Sequence, residues 1–217
     1  MTEPTYRDNL RASTRDIAHK ILTTNGLVEL QARKVATAAN CSVGTLYNIW
    51  RNLDELIIAA NAVTLGQLGS TLTLAREATQ PETTLHERLL VLAGAYTRFA
   101  IENQNAWRSL FDHRMAKGHA VPEWYRGSQS ELFAIVETVL APFVTDTTDR
   151  ARAARALFAS VHGIITLALD EKLGNFNQHE TEAQVRFIVT AAAQGLEHSV
   201  KAHNTANERQ PGSTERL

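Results

Sequence analysis

A chain of 217 residues, 44% hydrophobic and 21% charged, is long enough for one or two modest domains with real cores. Its formal net charge of -1 excludes a uniformly basic nucleic-acid coat, and its single cysteine excludes a disulfide framework within the chain, which fits a reducing cytoplasm. No uninterrupted apolar run approaches the ~20 residues that span a bilayer, and the N-terminus lacks the apolar core of a signal peptide, so a cytoplasmic chain with no membrane partner is expected.

The first helix is expected to start near Tyr6. Arg7 and Arg11 are spaced to share one face of it, aimed at a phosphate or into a minor groove, or solvated. After a loop at Gly26, Ala32, Val35, Ala36 and Ala39 recur at helical spacing, with Arg33 and Lys34 on the other side. Gln31 is a weak cap for that helix. Asn40, Cys41 and Ser42 interrupt the pattern: Asn tolerates the left-handed backbone that ends a helix, and Ser42 is a good N-cap for the next. Two helices joined by about three residues make a helix-turn-helix. In the second, Val43 to Trp50, Leu46 and Trp50 share one side and leave Thr45, Tyr47 and Asn48 outward. Such a helix suits a major groove, where Thr and Asn meet base edges and a Tyr hydroxyl reaches a phosphate. The expected DNA-binding set is Arg33, Ser42, Val43, Gly44, Thr45, Tyr47, Asn48 and Arg51. Cys41 reads as a small apolar residue of this core rather than a redox sensor.

These residues also carry a resemblance. Ala39, Ser42, Gly44, Thr45, Leu46, Tyr47, Trp50 and Leu56 resemble the Ala-Gly-Val-Ser-x-Gly-Thr-Leu-Tyr-x-x-Phe-x-x-Lys-x-x-Leu signature of the TetR family of bacterial transcriptional regulators, and Ile17 to Ala36 resembles the family's first helix, loop and second helix. Asn40 and Cys41 stand where the family has Gly and Val, and Leu53 where it has a phosphate-contacting Lys, so Arg51 or the Asn52 amide would have to supply that contact. The resemblance implies an all-helical homodimer that binds a palindromic double-stranded DNA operator through its N-terminal domains, and a small effector through its C-terminal domains. Charge is nearly silent on this: residues 1–56 hold seven Lys/Arg against six Asp/Glu, and the remainder 15 against 17.

Beyond Leu56 the helical period continues through Ile57, Ala60, Val63, Thr64 and Leu68 in a long helix to about Ala78, which joins the DNA-binding part to the rest. Pro81 suits the first turn of the next helix, which buries Leu85, Leu89, Leu92, Tyr96 and Phe99. A short helix with Trp107, Leu110 and Phe111 follows, then a loop over Ala116 to Val121, then a helix from Pro122 to Pro142 lined by Leu132, Phe133, Val136, Val139 and Leu140. Helix Asp149 to Leu173 is apolar on two faces and needs two partners. The final helix, about Thr181 to Lys201, opens with a Thr181/Gln184 capping box. Pairing these two helices with their two-fold copies gives an expected dimer interface of Leu157, Val161, Ile164, Ala168, Val185, Ile188, Ala192 and Leu196. The stretch LFASVHGIITLALDEKLG also resembles a TetR subgroup marked by a His-Gly pair, the WHG subgroup.

The expected fold is thus all-α, with about nine helices: a three-helix helix-turn-helix domain over residues 1–52, a helical effector-binding and dimerisation domain over 53–203, and a disordered tail over 204–217. The expected effector is a small apolar or aromatic molecule held among Tyr96, Phe99, Trp107, Phe111, Phe133 and His162. No cofactor and no metal is expected, since His113, His119 and His162 lack the spacing of a ligand set. Two alternatives stand beside a ligand-released repressor. One is a DNA-binding regulator with no effector; the other is a helical enzyme using Ser128, Ser130, His162 and Asp170, although no nucleophile elbow or phosphate loop accompanies them.

Overall fold

The computed structural model describes residues 5–208 except 173, 175 and 176, with side chains as far as His198. Among the described residues there are nine α-helices and no strand. In order they are α1 Tyr6–Asn25, α2 Ala32–Ala38, α3 Val43–Ile49, α4 Leu53–Glu77, α5 Leu85–Glu102, α6 Gln104–Asp112, α7 Glu123–Leu140, α8 Thr147–Leu169 and α9 Gln178–Glu208, with a short 3₁₀ turn at Leu27–Glu29.

Local chemistry explains most boundaries. Thr5 and Asp8 form a capping box at the start of α1, and Gly26, at φ 83°, ends it. Gln31 gives α2 no side-chain cap. At the end of α2, the Cys41 N–H donates to the Ala36 carbonyl at 2.9 Å and the Asn40 N–H to Thr37 at 3.1 Å. That is a Schellman ending with Asn40 in the left-handed position, at φ 51°. Ser42 Oγ then accepts from the Thr45 N–H at 2.9 Å and starts α3.

Four boundaries differ clearly from the sequence expectation. α5 starts at Leu85, not near Pro81, because Thr84 and Glu87 cap each other reciprocally. α9 starts at Gln178, since Asn177 Oδ1 accepts from the Glu180 N–H at 2.9 Å; Thr181 lies inside the helix with its hydroxyl on the Asn177 carbonyl, so it is not a cap. α8 stops at Leu169 instead of Leu173, where Glu171, at φ 55°, takes the left-handed position and the Lys172 N–H donates to the Leu167 carbonyl. α9 continues to Glu208, past the expected start of the polar tail at residue 204, and 209–217 lie outside the described residues.

Packing divides the chain into two compact units, Met1–Thr71 with Arg98–Glu131 and Leu72–Thr97 with Leu132–Leu217. The first is built around Ala18, Leu22, Leu30, Val35, Leu46, Ile49, Trp50, Leu56, Ile57 and Ala60. The boundary expected at residue 52 falls inside this unit, because Leu56, Ile57 and Ala60 of α4 are part of the same core as α1 to α3. Burying each Leu, Val or Ile side chain of this core stabilises the unit by ~1.5–3 kcal/mol. Asn105 of α6 closes it further by donating to the Thr23 and Thr24 carbonyls at the end of α1. In the second unit α8 packs along α9, and His86 of α5 bonds to Thr190 of α9 at 2.9 Å.

α4 and α8 are long and apolar enough, by length and composition, to cross a membrane, which a search for uninterrupted apolar runs does not register. Half of the α4 window is buried inside the protein, as expected of a core helix; for α8 the share is 28%.

Candidate functional site

The inner side of α3 is held from three directions. Leu46 and Ile49 are buried in the core, and the Trp50 indole N–H donates to Thr14 Oγ1 at 2.9 Å, tying the end of α3 to α1. The Arg11 guanidinium lies 3.8 Å from the Trp50 ring centroid, donates to the Ile49 carbonyl at 2.6 Å and pairs with Glu55 at 2.8 Å. Arg7 donates to the Asn48 carbonyl at 3.1 Å. Cations on the last carbonyls of a helix satisfy orphan acceptors and oppose the negative end of its dipole. Arg7 and Arg11 therefore do share a face, and each donates to a carbonyl near the end of α3, a partner that the sequence reading did not foresee. Spacing identifies a common face and says nothing of what lies opposite it. Burial pushes the Glu55 carboxyl up, but hydrogen bonds from Arg11 and the Arg51 N–H outweigh it and hold the group below its ordinary value.

The other side of α3 is open. Tyr47 is 46% exposed, Ser42, Val43, Gly44 and Asn48 are exposed, and Thr45 is half-buried with its hydroxyl 2.9 Å from Ser42 Oγ. A Cβ at Gly44 would meet only Ser42 Oγ, at 3.6 Å, so nothing inside the chain requires glycine there. Arg51 follows α3 and is exposed, as is Arg33 on α2, whose neighbour Lys34 is paired with Glu29. Leu53 is half-buried against the helix-turn-helix core, as is Cys41. The asymmetry is the chemical content of the site: one face locked in place, the other offering hydroxyls, an amide and a close backbone approach.

The residues expected to hold an effector fall into two groups. Tyr96, Phe133 and His162 belong to the second unit, where Phe158 brings them together: its ring centroid is 5.8 Å from Tyr96, 5.3 Å from Phe133 and 5.2 Å from His162. Tyr96 Oη is 3.0 Å from His162 Nδ1. Phe99, Trp107 and Phe111 belong to the first unit, with Phe99 and Trp107 buried and the Phe111 ring tilted at 60° to that of Trp107, with centroids 5.3 Å apart. Of the expected dimer residues, Leu157, Val161, Ala168 and Val185 are buried within the second unit, while Ile164, Ile188, Ala192 and Leu196 are half-buried. Phe187, which the sequence reading passed over, is 71% exposed and lies in a groove on α9 with Arg186, Thr190 and Ala191. Ser128 and Ser130 bond to their own helix's carbonyls, and Asp170 pairs with Lys172 at 2.9 Å.

Residues 89–192 match the family model of the tetracyclin repressor-like C-terminal domain. Among solved structures, a protein of unknown function from Rhodococcus sp. RHA1 is similar at 23% identity with TM-score 0.66, covering 91% of this chain and 98% of that one. A TetR-family transcriptional regulator from Streptomyces coelicolor is similar at 15% identity and TM-score 0.64, with 89% of each chain covered. A TetR variant from Acinetobacter baumannii AYE, in complex with minocycline, is similar at 16% identity and TM-score 0.61, with 86% and 96% covered. This chain has the TetR-family fold, with a TetR-family C-terminal domain. No curated protein matches the sequence at a significant level. The matching C-terminal description is the general tetracyclin repressor-like one and does not name the His-Gly subgroup.

Sequence reasoning missed one cluster. His119 Nδ1 lies 2.8 Å from Asp54 Oδ2, the Ala116 N–H donates to the same oxygen at 3.1 Å, and His113 Nε2 is 3.5 Å from Oδ1. Burial pushes the Asp54 carboxyl up, but the hydrogen bonds from His119 and Ala116 and the nearby His113 together hold it below its ordinary value. The loop after α6 is thereby hooked to the first turn of α4. The only signal in the sequence was two histidines in a loop, since a contact across some 60 residues leaves no local pattern.

Proposed function

We propose that this TetR-family chain is a DNA-binding transcriptional regulator, acting in the cytoplasm as a repressor that a small molecule releases from a palindromic operator. α3 enters the major groove, with Thr45 and Asn48 meeting base edges, the Tyr47 hydroxyl on a phosphate, and Val43 and Gly44 letting the backbone approach. Arg33 and Arg51 supply further phosphate contacts. The observation that carries this reading is the two-sided α3, clamped on its inner face by Trp50 and Arg11 and open on its outer face at Tyr47 and Asn48. A homodimer is part of the proposal, formed on α8 and α9 by the residues their own unit leaves accessible: Ile164, Ile188, Ala192, Leu196 and the exposed Phe187. No catalytic role is proposed.

The effector proposed is small and largely apolar or aromatic, held in the second unit at the rings of Tyr96, Phe133, Phe158 and His162, with His162 orienting it by a hydrogen bond. The minocycline seen in the Acinetobacter structure shows that a polycyclic molecule binds that protein. The second reading, a regulator with no ligand at these rings, is favoured by the bond that His162 already makes to Tyr96. Selecting duplexes from a random pool with the whole protein tests the first part. Tyr47→Phe is expected to weaken binding to all selected sequences alike, while Asn48→Ala relaxes a single position by roughly 1–3 kcal/mol. Unchanged affinity in both variants at physiological salt would remove α3 from the groove. A thermal-shift screen of aromatic compounds tests the second part: hits that stabilise the protein and release the duplex together, and that Phe133→Ala abolishes, support the ring site.

A further inference from the structure

The outer face of α3 offers two kinds of chemistry along its length. Towards its end stand a phenol and an amide, Tyr47 and Asn48, both exposed and both able to donate and accept. In its first turn the outward positions are Val43 and Gly44, which carry no polar side-chain atom. The hydroxyls beside them are turned to each other and to the helix: Ser42 Oγ accepts from the Thr45 N–H at 2.9 Å and lies 2.9 Å from Thr45 Oγ1. No acidic residue stands in that turn to repel a polyanion.

Val43 is 36% exposed and lies outside the core that holds Leu46, Ile49 and Trp50. Helix stability gives no reason for it, since a β-branched side chain loses χ1 freedom in a helix and is a poorer helix former than Ala, Glu or Lys. A lone exposed valine means little elsewhere on a surface. Its place gives it meaning, because the N-terminal residues of a recognition helix are those that meet base edges. In the major groove one base edge suits an isopropyl group: thymine, through its C5 methyl. The other three bases present donors and acceptors there, to which an isopropyl group adds nothing.

Resting on the reading that α3 enters the major groove, we infer that Val43 is a specificity-determining residue whose methyl groups pack on the C5 methyl of one thymine in each half of the operator. Gly44 permits the approach, since its missing Cβ keeps the first turn slim on the side where the chain itself places only Ser42 Oγ, 3.6 Å from a built Cβ. The two ends of α3 then read by different chemistry, a methyl contact at Val43 and hydrogen bonds at Asn48. Their spacing ties the two readings together. Asn48 is five residues beyond Val43, ~7.5 Å along the helix axis, and successive base pairs are ~3.4 Å apart, so the thymine lies within about three base pairs of the position that the Asn48 amide reads.

The test uses the full chain and a duplex selected from the random pool, with each thymine of one half-site replaced in turn by deoxyuridine, which pairs identically and lacks only the C5 methyl. Removing the methyl of one thymine is expected to weaken binding about fourfold, the worth of one buried methyl group. Val43→Ala is expected to fold, because position 43 is exposed and alanine is the better helix former. In that variant the same deoxyuridine is expected to cost less than about twofold, while losses at other positions stay as they were. Such coupling between one side chain and one methyl group is a readout that a merely structural role for Val43 does not give. The deoxyuridine scan on the unaltered protein needs no variant, and a half-site in which no thymine responds overturns the inference. So does an equal loss in Val43→Ala, or a responsive thymine more than about three base pairs from the position relaxed by Asn48→Ala. Each of these leaves the placement of α3 standing, whereas failure to select any duplex overturns both.

Discussion

Replacing Arg11 with Met separates two roles for this side chain by experiment. Met keeps the methylene packing and removes the guanidinium, which donates to the Ile49 carbonyl at 2.6 Å, stacks 3.8 Å from the Trp50 centroid and pairs with Glu55 at 2.8 Å. A charge-assisted bond is worth ~1.5–3 kcal/mol when buried, but this side chain is 43% exposed, so about 1 kcal/mol is the apt figure. The stacking adds ~0.5–1 kcal/mol and the solvated ion pair at most ~1 kcal/mol. All three come from one side chain and are not additive, so the net loss is about 2 kcal/mol. For a chain of 217 residues that corresponds to a fall in Tm of about 4–8 °C. Because Arg11 is committed to α3, the slope of log affinity for a selected duplex against log salt is expected to stay as it was. An arginine on a phosphate would instead give up about one unit of slope. An unchanged Tm with a slope reduced by about one would refute the clamp and restore Arg11 to the DNA backbone.

Gly44→Ala is expected to fold at least as stably as the parent, gaining up to about 1 kcal/mol of helix propensity, yet to bind DNA more weakly, because its Cβ is tolerated inside the chain and obstructs only what approaches from outside; equal duplex affinity would remove the close backbone approach. Glu171→Gly relieves a left-handed position at φ 55° and is expected to stabilise the end of α8 by about 1 kcal/mol in chemical denaturation. Burial holds the imidazoles of His19 and His113 below their ordinary value, so the unfolded chain takes up protons first and stability falls as pH drops below ~6.5; His113→Gln is expected to flatten the decline between about pH 6.5 and 5, and an unaltered slope would contradict the burial argument. Phe187→Glu places a charge on the exposed face of α9 and is expected to shift sedimentation from dimer to monomer while leaving the protomer folded; an unshifted dimer would take Phe187 out of the interface.

The features legible in the sequence are those whose causes are local. Asn40 in a left-handed turn, Ser42 as a cap, and the i,i+4 pair of Leu46 and Trp50 are each determined by a few neighbouring residues, and together they specify two short helices and which side of the second faces out. The Thr84 to Glu87 box and the Asn177 cap were equally local and equally present, but weaker cues at Pro81 and Thr181 drew the boundaries elsewhere. Tertiary structure decided what each face meets. It turned Arg7 and Arg11 inward onto the α3 carbonyls, extended the helix-turn-helix core into α4, and buried Leu157, Val161, Ala168 and Val185 within their own unit. It also joined His113 and His119 to Asp54 across some 60 residues. Periodicity reports that a residue is apolar and which way it points on its own helix; only the packing of one helix against another assigns it a partner.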